Sequence, residues 1–468
     1  MALKCDVAIV GGGIGGLTLA IGLRQASMSV HVFEQDADLR EIGAGIAIGG
    51  NATRLLERLG VDLGPVANVP PAVEFRRWSD GELLWSHPIG EWYRREAGAN
   101  LLMLHRATLQ RQLAAAVAPG CIQLDRRLIE LSDEISGVRL RFERGDDVVA
   151  NLVVGVDGVN SVTRRHVCGD VRPAYSGEIG FRGVIPIEGS EGLPDPTSLN
   201  IWCGPGTHVV YYGLDRGQSV NLLAVYRPDR LPAWTAVSSR LPATTGQALA
   251  IFEGYGWDRR ILDLVRNIEG DMNFWALVDL PRLPQWSRGR VVLMGDAAHA
   301  PLPHQGQGAG QAIEDAYALA ALLGRGGLGS YCQTFQAFEN LRRGRTRRVQ
   351  VYSQVSGRAV KFAGAAARRR DAGWSSLPQR IEWIHAYRAE DALAQLTSGP
   401  FVESSRSRTT ESEDVRHASW PRAATEIGHS PVGRHWSIWV RRLADRRGAS
   451  HRRSWRWGAD PDLQPPEV

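Results

Sequence analysis

The stretch Asp6-Val7-Ala8-Ile9-Val10-Gly11-Gly12-Gly13-Ile14-Gly15-Gly16 decides the architecture. An apolar run of strand length ends on a cluster of glycines, and from Ile14 to Gln25 apolar residues recur at helical spacing. A second strand, Val30 to Phe33, ends on Glu34, so the chain opens with a βαβ unit. Gly11, Gly13 and Gly16 fit the pattern GxGxxG. Gly11 permits the tight turn, Gly13 lets backbone approach a pyrophosphate, and Gly16 allows the helix to sit close on the strand. The helix that begins at Ile14 offers unpaired N–H groups to phosphate, and Glu34 stands where a carboxylate accepts a ribose hydroxyl. The pattern marks a dinucleotide site without choosing between NAD and FAD.

Working outward, two further strands run into acidic turns. Val153-Val154-Gly155-Val156-Asp157-Gly158 is the first, with Arg164 just beyond, and Val291-Val292-Leu293-Met294-Gly295-Asp296 is the second. The second continues through Pro303-His304-Gln305-Gly306-Gln307-Gly308-Ala309-Gly310 into a strong helix, Gly310 to Leu323, and a long basic helix is expected over Tyr331 to Ser356. Between them the texture is all strand: Phe181 to Ile187, Leu199 to Trp202, His208 to Tyr212 and Val220 to Tyr226, separated by Gly, Pro and Asp. Short helices are expected at Thr53 to Leu59, Arg106 to Val117, Thr245 to Glu253 and Ile261 to Arg266.

The composition is that of a folded chain of 468 residues with 43% hydrophobic residues, which excludes a peptide module or a wholly disordered protein. No apolar run approaches the roughly 20 residues of a membrane span, and the N-terminus lacks the length and cleavage site of a signal peptide, so the cytoplasm is the expected compartment. Five scattered cysteines without CxxC spacing indicate neither a disulfide framework nor a metal site, and read as small buried hydrophobes. The net charge of +5 comes from arginine-rich stretches late in the chain, lysine occurring only at Lys4 and Lys361. Without a recognition motif this excess does not imply nucleic acid. Past about Ser398 apolar periodicity vanishes, and a basic, disordered tail over 398–468 is expected.

With these motifs in hand, the chain resembles the FAD-dependent aromatic hydroxylases, the class A flavoprotein monooxygenases, and within them the salicylate hydroxylase branch. The resemblance rests on the glycine fingerprint, the Asp157-Gly158 and Gly295-Asp296 stretches in that order, and the wording of Pro303 to Ala316. It runs from about Leu3 to Ala392 and leaves out the tail. It implies an α/β fold: a Rossmann-like FAD-binding domain in two parts, 1–175 and 271–345, an inserted antiparallel-sheet substrate domain over 176–270, and a C-terminal helical region over 346–397. The implied activity is hydroxylation of an electron-rich aromatic, a phenol or hydroxybenzoate such as salicylate. NADH or NADPH supplies electrons, O2 supplies the oxygen, and a flavin C4a-hydroperoxide carries it. A non-catalytic or redox-responsive flavin-binding protein and a flavin epoxidase remain open alternatives, and the oligomeric state is left between monomer and homodimer.

The resemblance also assigns residues. Gly11, Gly13, Ile14, Gly16 and Glu34 bind the adenosine and pyrophosphate part, while Arg40, Gly45 and Arg106 lie along the flavin. Asp296 meets the ribityl chain, and Gly306, Gly308, Ala309 and Gly310 crowd the ring. Asp157 acts on the cofactor or forms only a structural turn. Pro303 lies near the ring edge where oxygen reacts. Alternation along the strand puts His208, Val210 and Tyr212 on one face. His208 matches a histidine that takes the substrate's proton, with Tyr212 beside it, His304 as a second base and Arg182 available to a substrate carboxylate. Ser27 and Gly50 depart from the family wording, which has glycine and proline there.

Overall fold

A computed structural model describes residues 3–39, 45–229, 232 and 240–397. Arg40, the neighbouring Gly43 and Ala44, and the tail from 398 onward lie outside the described residues.

The opening unit is as expected: strand Leu3–Val10, helix Ile14–Gln25 and strand Val30–Phe33. Val7, Ala8, Ile9 and Leu17 are fully buried, because both faces of this sheet are covered and its strands therefore read as continuous apolar runs. Leu3–Val10 pairs in parallel with Val30–Phe33 on one side and with Val148–Gly155 on the other. Val148–Gly155 in turn pairs in parallel with Val291–Leu293. The three strands that carry the acidic and glycine motifs are thus neighbours, and their C-terminal ends open on one edge, where open parallel sheets bind ligands. The hairpin Leu128–Glu134 and Gly137–Phe142 extends this sheet through Val148–Gly155.

Ser27 occupies the turn before Val30–Phe33 with φ +61°, so the departure from glycine holds an L-residue in the left-handed region at a cost of about 1–2 kcal/mol.

A second eight-stranded sheet stands over this edge. Its order is Arg240–Ala243, Met272–Asp279, Ala174–Pro186, Ser219–Tyr226, Thr207–Leu214, Leu199–Gly204, Ala72–Arg77, Leu83–Pro88. Neighbours are antiparallel except Leu199–Gly204 with Ala72–Arg77, which run parallel. The sheet therefore recruits strands from both sides of 176–270. Its outer face, with Phe181, Val209, Tyr211 and Leu222, packs on helices Thr245–Gly254 and Arg259–Arg266. Those helices start at sound caps: Thr244 and Gln247 form a reciprocal capping box, and Asp258 accepts from Arg260 N. The inner face faces the first sheet, and a two-stranded ribbon, Gly45–Ile48 with Leu102–His105, lies between.

The long helix spans Tyr331–Ala359 and buries Phe335, Phe338, Arg342, Thr346, Val349 and Ser353, one stripe at i, i+3, i+4 spacing. Three of the five cysteines are buried as expected; Cys168 is half-buried and Cys332 is exposed. Among the described residues no helix is long and apolar enough to cross a membrane.

Candidate active site

Gly11 has φ +113°, and a Cβ there would stand 2.4 Å from Val156 O, so only glycine fits between the two strand ends. A Cβ on Gly16 would stand 2.0 Å from Gly11 O, which is the close helix–strand approach the fingerprint demands. Gly13 is different: nothing lies within 4 Å of its missing Cβ. It also precedes the helix as an N-cap without a side-chain bond, leaving the first-turn N–H groups open to an anion. Glu34 accepts from Gly12 N at 2.7 Å and Asp36 N at 3.0 Å, which aims its carboxylate at the loop and leaves lone pairs for a hydroxyl.

Asp296 begins the short helix Asp296–His299 and is the one exposed residue in a buried run. Burial nevertheless pushes its carboxyl above the usual range, with His299 and Arg106 opposing the rise. An accessible carboxylate enclosed by protein is one that looks into an internal hollow. The turn beneath it is rigid: Asp315 accepts from Gly295 N at 2.9 Å, from His299 Nε2 at 2.5 Å and from Arg342 Nε at 2.6 Å. Open Gly13, the uncapped helix end, Glu34 and Asp296 line one edge and suit a dinucleotide with a polyhydroxyl chain, so the residues present fit FAD.

The other assignments divide. Arg106 opens helix Arg106–Ala116 and acts electrostatically on both Asp296 and Arg182, which places it between the dinucleotide edge and the inner face of the second sheet. Asp157 accepts from Ser161 Oγ, Thr163 Oγ1, Val162 N and Thr163 N, so its carboxylate braces its own turn. The helix after the glycine loop begins at Gly308, and Gly306 has φ +59° against Ala47. At Gly310 a side chain would meet polar neighbours: Gln307 Oε1 lies 3.1 Å from its missing Cβ and Asn51 Nδ2 3.4 Å. Its task is to let Asn51 and Gln307 bond at 3.1 Å behind the loop.

On the inner face of the second sheet, Arg182, Leu223 and Val210 are direct cross-strand partners, and His208 and Tyr212 flank Val210 on the same side. Strand Thr207–Leu214 is central, so His208 is no edge histidine facing water; it is buried, and its Nδ1 has no partner. Burial, with Lys361 and His304 adding to it, holds the His208 imidazole well below the usual histidine range and therefore neutral. Tyr212 is buried against Gly45, whose N–H donates to Asn221 Oδ1 at 2.7 Å. Arg182 is half-buried and makes no hydrogen bond or ion pair among the described residues. Burial weakens its hold on its proton, Tyr212 opposing and Arg106 adding to the effect. Pro303 starts the turn Pro303–Gln305, fixed from behind by Ser353 Oγ donating to Leu302 O at 2.6 Å.

Sequence reasoning missed Glu178 and Lys361. His304 Nε2 bonds Glu178 Oε2 at 2.9 Å, and Lys361 Nζ lies 2.7 Å from Glu178 Oε1. One signal was available: Lys361 is one of two lysines in a chain that otherwise uses arginine throughout.

The comparisons with known proteins agree with this geometry. The FAD binding domain model matches residues 4–185 and 279–327, the two stretches that flank most of the second sheet. A 3-amino-4-hydroxybenzoate 2-monooxygenase of Streptomyces platensis is 35% identical over 391 residues, covering 82% of this chain and 96% of the relative. Salicylate hydroxylase of Pseudomonas putida is 32% identical, covering 84% and 94%. A salicylate hydroxylase substrate complex superposes with a TM-score of 0.73 at 27% identity, covering 86% of this chain and 99% of that one. Relatives named as aromatic-ring monooxygenases favour hydroxylation over the non-catalytic and epoxidase readings. The chain belongs to the FAD-dependent aromatic monooxygenases, with NAD(P)H as the co-substrate.

Proposed function

We propose that the ring hydroxylated here is a phenol that also carries a carboxylate, with His208 taking the phenol proton and Arg182 meeting the carboxylate. The observation behind this reading is the pairing of a neutral imidazole and a guanidinium without a partner among the described residues on one face, with one strand between theirs. Two strand spacings are about 10 Å, and the two-residue offset of His208 from Val210 adds about 7 Å along the strand. The Cα atoms thus stand about 12 Å apart, a gap spanned by the two side chains and one aromatic ring with polar substituents at both ends. The two curated relatives named above act, by their names, on 3-amino-4-hydroxybenzoate and salicylate, each a hydroxyl- and carboxylate-bearing ring.

FAD, which Gly11, Gly13, Glu34 and Asp296 would hold, would supply the redox chemistry that activates O2 with electrons from NAD(P)H. The chain's own residues prepare the aromatic ring. Neutral His208 accepts the phenol proton, and the phenolate enriches the ring carbons ortho and para to its oxygen. Arg182 fixes the opposite end by a charge-assisted hydrogen bond and gains the anion that its burial calls for. Tyr212 closes the wall beside Gly45, and Pro303 with His304 forms the floor of the turn. In this reading 1–175 and 271–345 hold the flavin, 176–270 supplies most of the roof, and the enzyme works in the cytoplasm as monomer or homodimer.

The test compares hydroxybenzoates with phenols that lack the carboxylate. Arg182→Gln should raise KM for the hydroxybenzoate by about 10–100-fold, the scale of a lost charged hydrogen bond of about 1.5–3 kcal/mol, and leave the phenol almost unchanged. Equal effects on both would remove the carboxylate role.

A further inference from the structure

Four elements bring one buried polar cluster together behind His208. Glu178 comes from strand Ala174–Pro186, His304 from the turn Pro303–Gln305, His208 from strand Thr207–Leu214, and Lys361 from the turn just after the long helix. The side chains of Glu178, His304 and Lys361 are almost wholly enclosed. His304 sits against the helix at Gly357, where any Cβ would stand 2.1 Å from the imidazole. The cluster is therefore built around that ring, and its cost in desolvated charge calls for a use.

Its protonation pattern is defined. Burial opposes a charge on Glu178, yet the His304 N–H and the Lys361 ammonium hold its carboxyl down at about 2. Burial lowers the His304 pKa, Glu178 opposing and Lys361 assisting, so the resting ring is neutral. A neutral ring that donates Nε2–H to a carboxylate carries no proton on Nδ1. That Nδ1 is buried without a partner among the described residues, and so is His208 Nδ1. The two rings meet edge to face with centroids 5.3 Å apart, close enough for ring nitrogens that face each other to reach hydrogen-bond distance.

We propose that His208, His304 and Glu178 form a proton relay, with Lys361 holding Glu178 ionised. This rests on the reading of His208 as the base. The phenol O–H breaks and its proton goes to His208 Nε2. The proton on His208 Nδ1 passes to His304 Nδ1, and the resulting imidazolium lies against the Glu178 carboxylate. No electron is transferred, and the net change is one proton moved from the phenol to His304. The relay gives a buried imidazole that disfavours its own cation somewhere to send the charge. Other groups that face the cluster are Tyr175, Arg227 and Arg358, of which Arg227 and Arg358 add positive charge near Lys361 and Arg227 counters the effect of Glu178 on Tyr175.

Glu178 and Lys361 are positioning residues, and the test reads the ionisation of a bound phenol. The holoenzyme, loaded with FAD and a hydroxybenzoate, is titrated by the ultraviolet absorbance of the phenolate. Glu178→Gln should raise the bound phenol's apparent pKa by about 1–3 units, the effect of removing one adjacent charge, and shift the pH profile of product per NAD(P)H upward equally. Glu178→Asp should recover part of the shift. Gly357→Ala, which displaces the His304 ring, should act in the same direction and serves as the second route should Glu178→Gln lose FAD. An unmoved bound-phenol pKa in a folded, flavin-replete Glu178→Gln or Gly357→Ala enzyme overturns the relay. If His208→Ala moves the pKa and these do not, the relay alone fails; if His208→Ala moves nothing, the base assignment fails first.

Discussion

The Gly45 N–H donates to Asn221 Oδ1 at 2.7 Å, a buried bond between residues 176 positions apart that ties the flavin-side ribbon to the roof sheet. A Cβ on Gly45 would also stand 2.8 Å from Tyr212 Cε2 and 3.0 Å from Asn221 Cβ. Position 45 thus sets the distance between the two halves of the site.

Gly45→Ala should therefore cost about 1–3 kcal/mol in stability through overpacking, and lower the fraction of NAD(P)H oxidation that yields product. The check is a double-mutant cycle with Tyr212→Val. Relief of steric conflict predicts that the pair costs less than the sum of the singles by about 0.5–3 kcal/mol, whereas strict additivity would mean that the contact is not what Gly45 protects.

Among the described residues no partner holds the Asp296 carboxylate, so in the proposed site its replacement should remove bonds to the ligand and not to the fold. Asp296→Ala should weaken FAD binding by about 10–100-fold, following the loss of about 1.5–3 kcal/mol, with the apoprotein's melting temperature little changed. Fluorescence titration of the apoprotein with FAD measures this. Unaltered affinity would move the ribityl contact elsewhere.

His208→Ala should keep FAD and its reduction by NAD(P)H yet lose hydroxylation by about 10²–10⁴-fold at neutral pH, with the electrons appearing as hydrogen peroxide. Coupling should recover in part as pH rises toward the ordinary phenol range near 10, where the substrate ionises unaided. A mutant with full coupling at neutral pH would take His208 out of the mechanism.

Arg342 is wholly buried and bonds Glu314 at 2.5 Å and Asp315 at 2.6 Å, two carboxylates that are themselves fully enclosed. Burial works against the Asp315 charge, but His299 and Arg342 hold its carboxyl at about 2. A depressed carboxylate stabilises the fold above its unfolded value of about 3.9 and loses that contribution as pH falls toward about 2. Arg342→Met should cost about 3–5 kcal/mol near neutrality by breaking two buried ion pairs, leaving Glu314 with Arg345 and Asp315 with His299 as their charged partners. It should also raise the Asp315 pKa, so that the penalty shrinks on acidification. Melting temperatures of both proteins from about pH 7 to about pH 4 decide it; a penalty independent of pH would point to lost packing instead.

The nucleotide half was legible because its signals are local. Helix Ile14–Gln25 and strand Val30–Phe33 follow from periodicity and a glycine turn, and both were read to the residue. Strands Ala72–Arg77 and Met272–Asp279 were not read. Ala72–Arg77 carries Glu74 and Arg76; Arg76 donates to Glu74 and, across the sheet, to Asn200 Oδ1, so the polar pair is held by a partner far along the chain. Gly310 was read as the start of its helix, which begins two residues earlier at Gly308 and sets Gln307 and Asn51 beside it. Glu178 was invisible for the same reason: its meaning lies in His304 and Lys361, which only the fold brings to it.

The roof sheet takes Ala72–Arg77 and Leu83–Pro88 from one end of the chain and Met272–Asp279 from the other side of 176–270. This makes the roof a poor module for exchange. A graft of 176–270 from a relative would seat its Leu199–Gly204 edge against a foreign Ala72–Arg77 in the parallel register that now joins them, and its Ala174–Pro186 edge against a foreign Met272–Asp279. Any mismatch would bare strand edges that invite aggregation. Specificity transplants in this enzyme therefore succeed as sets of inner-face side chains, at 182, 208, 210, 212 and 223, on an intact native sheet, or as a graft that carries all three segments together.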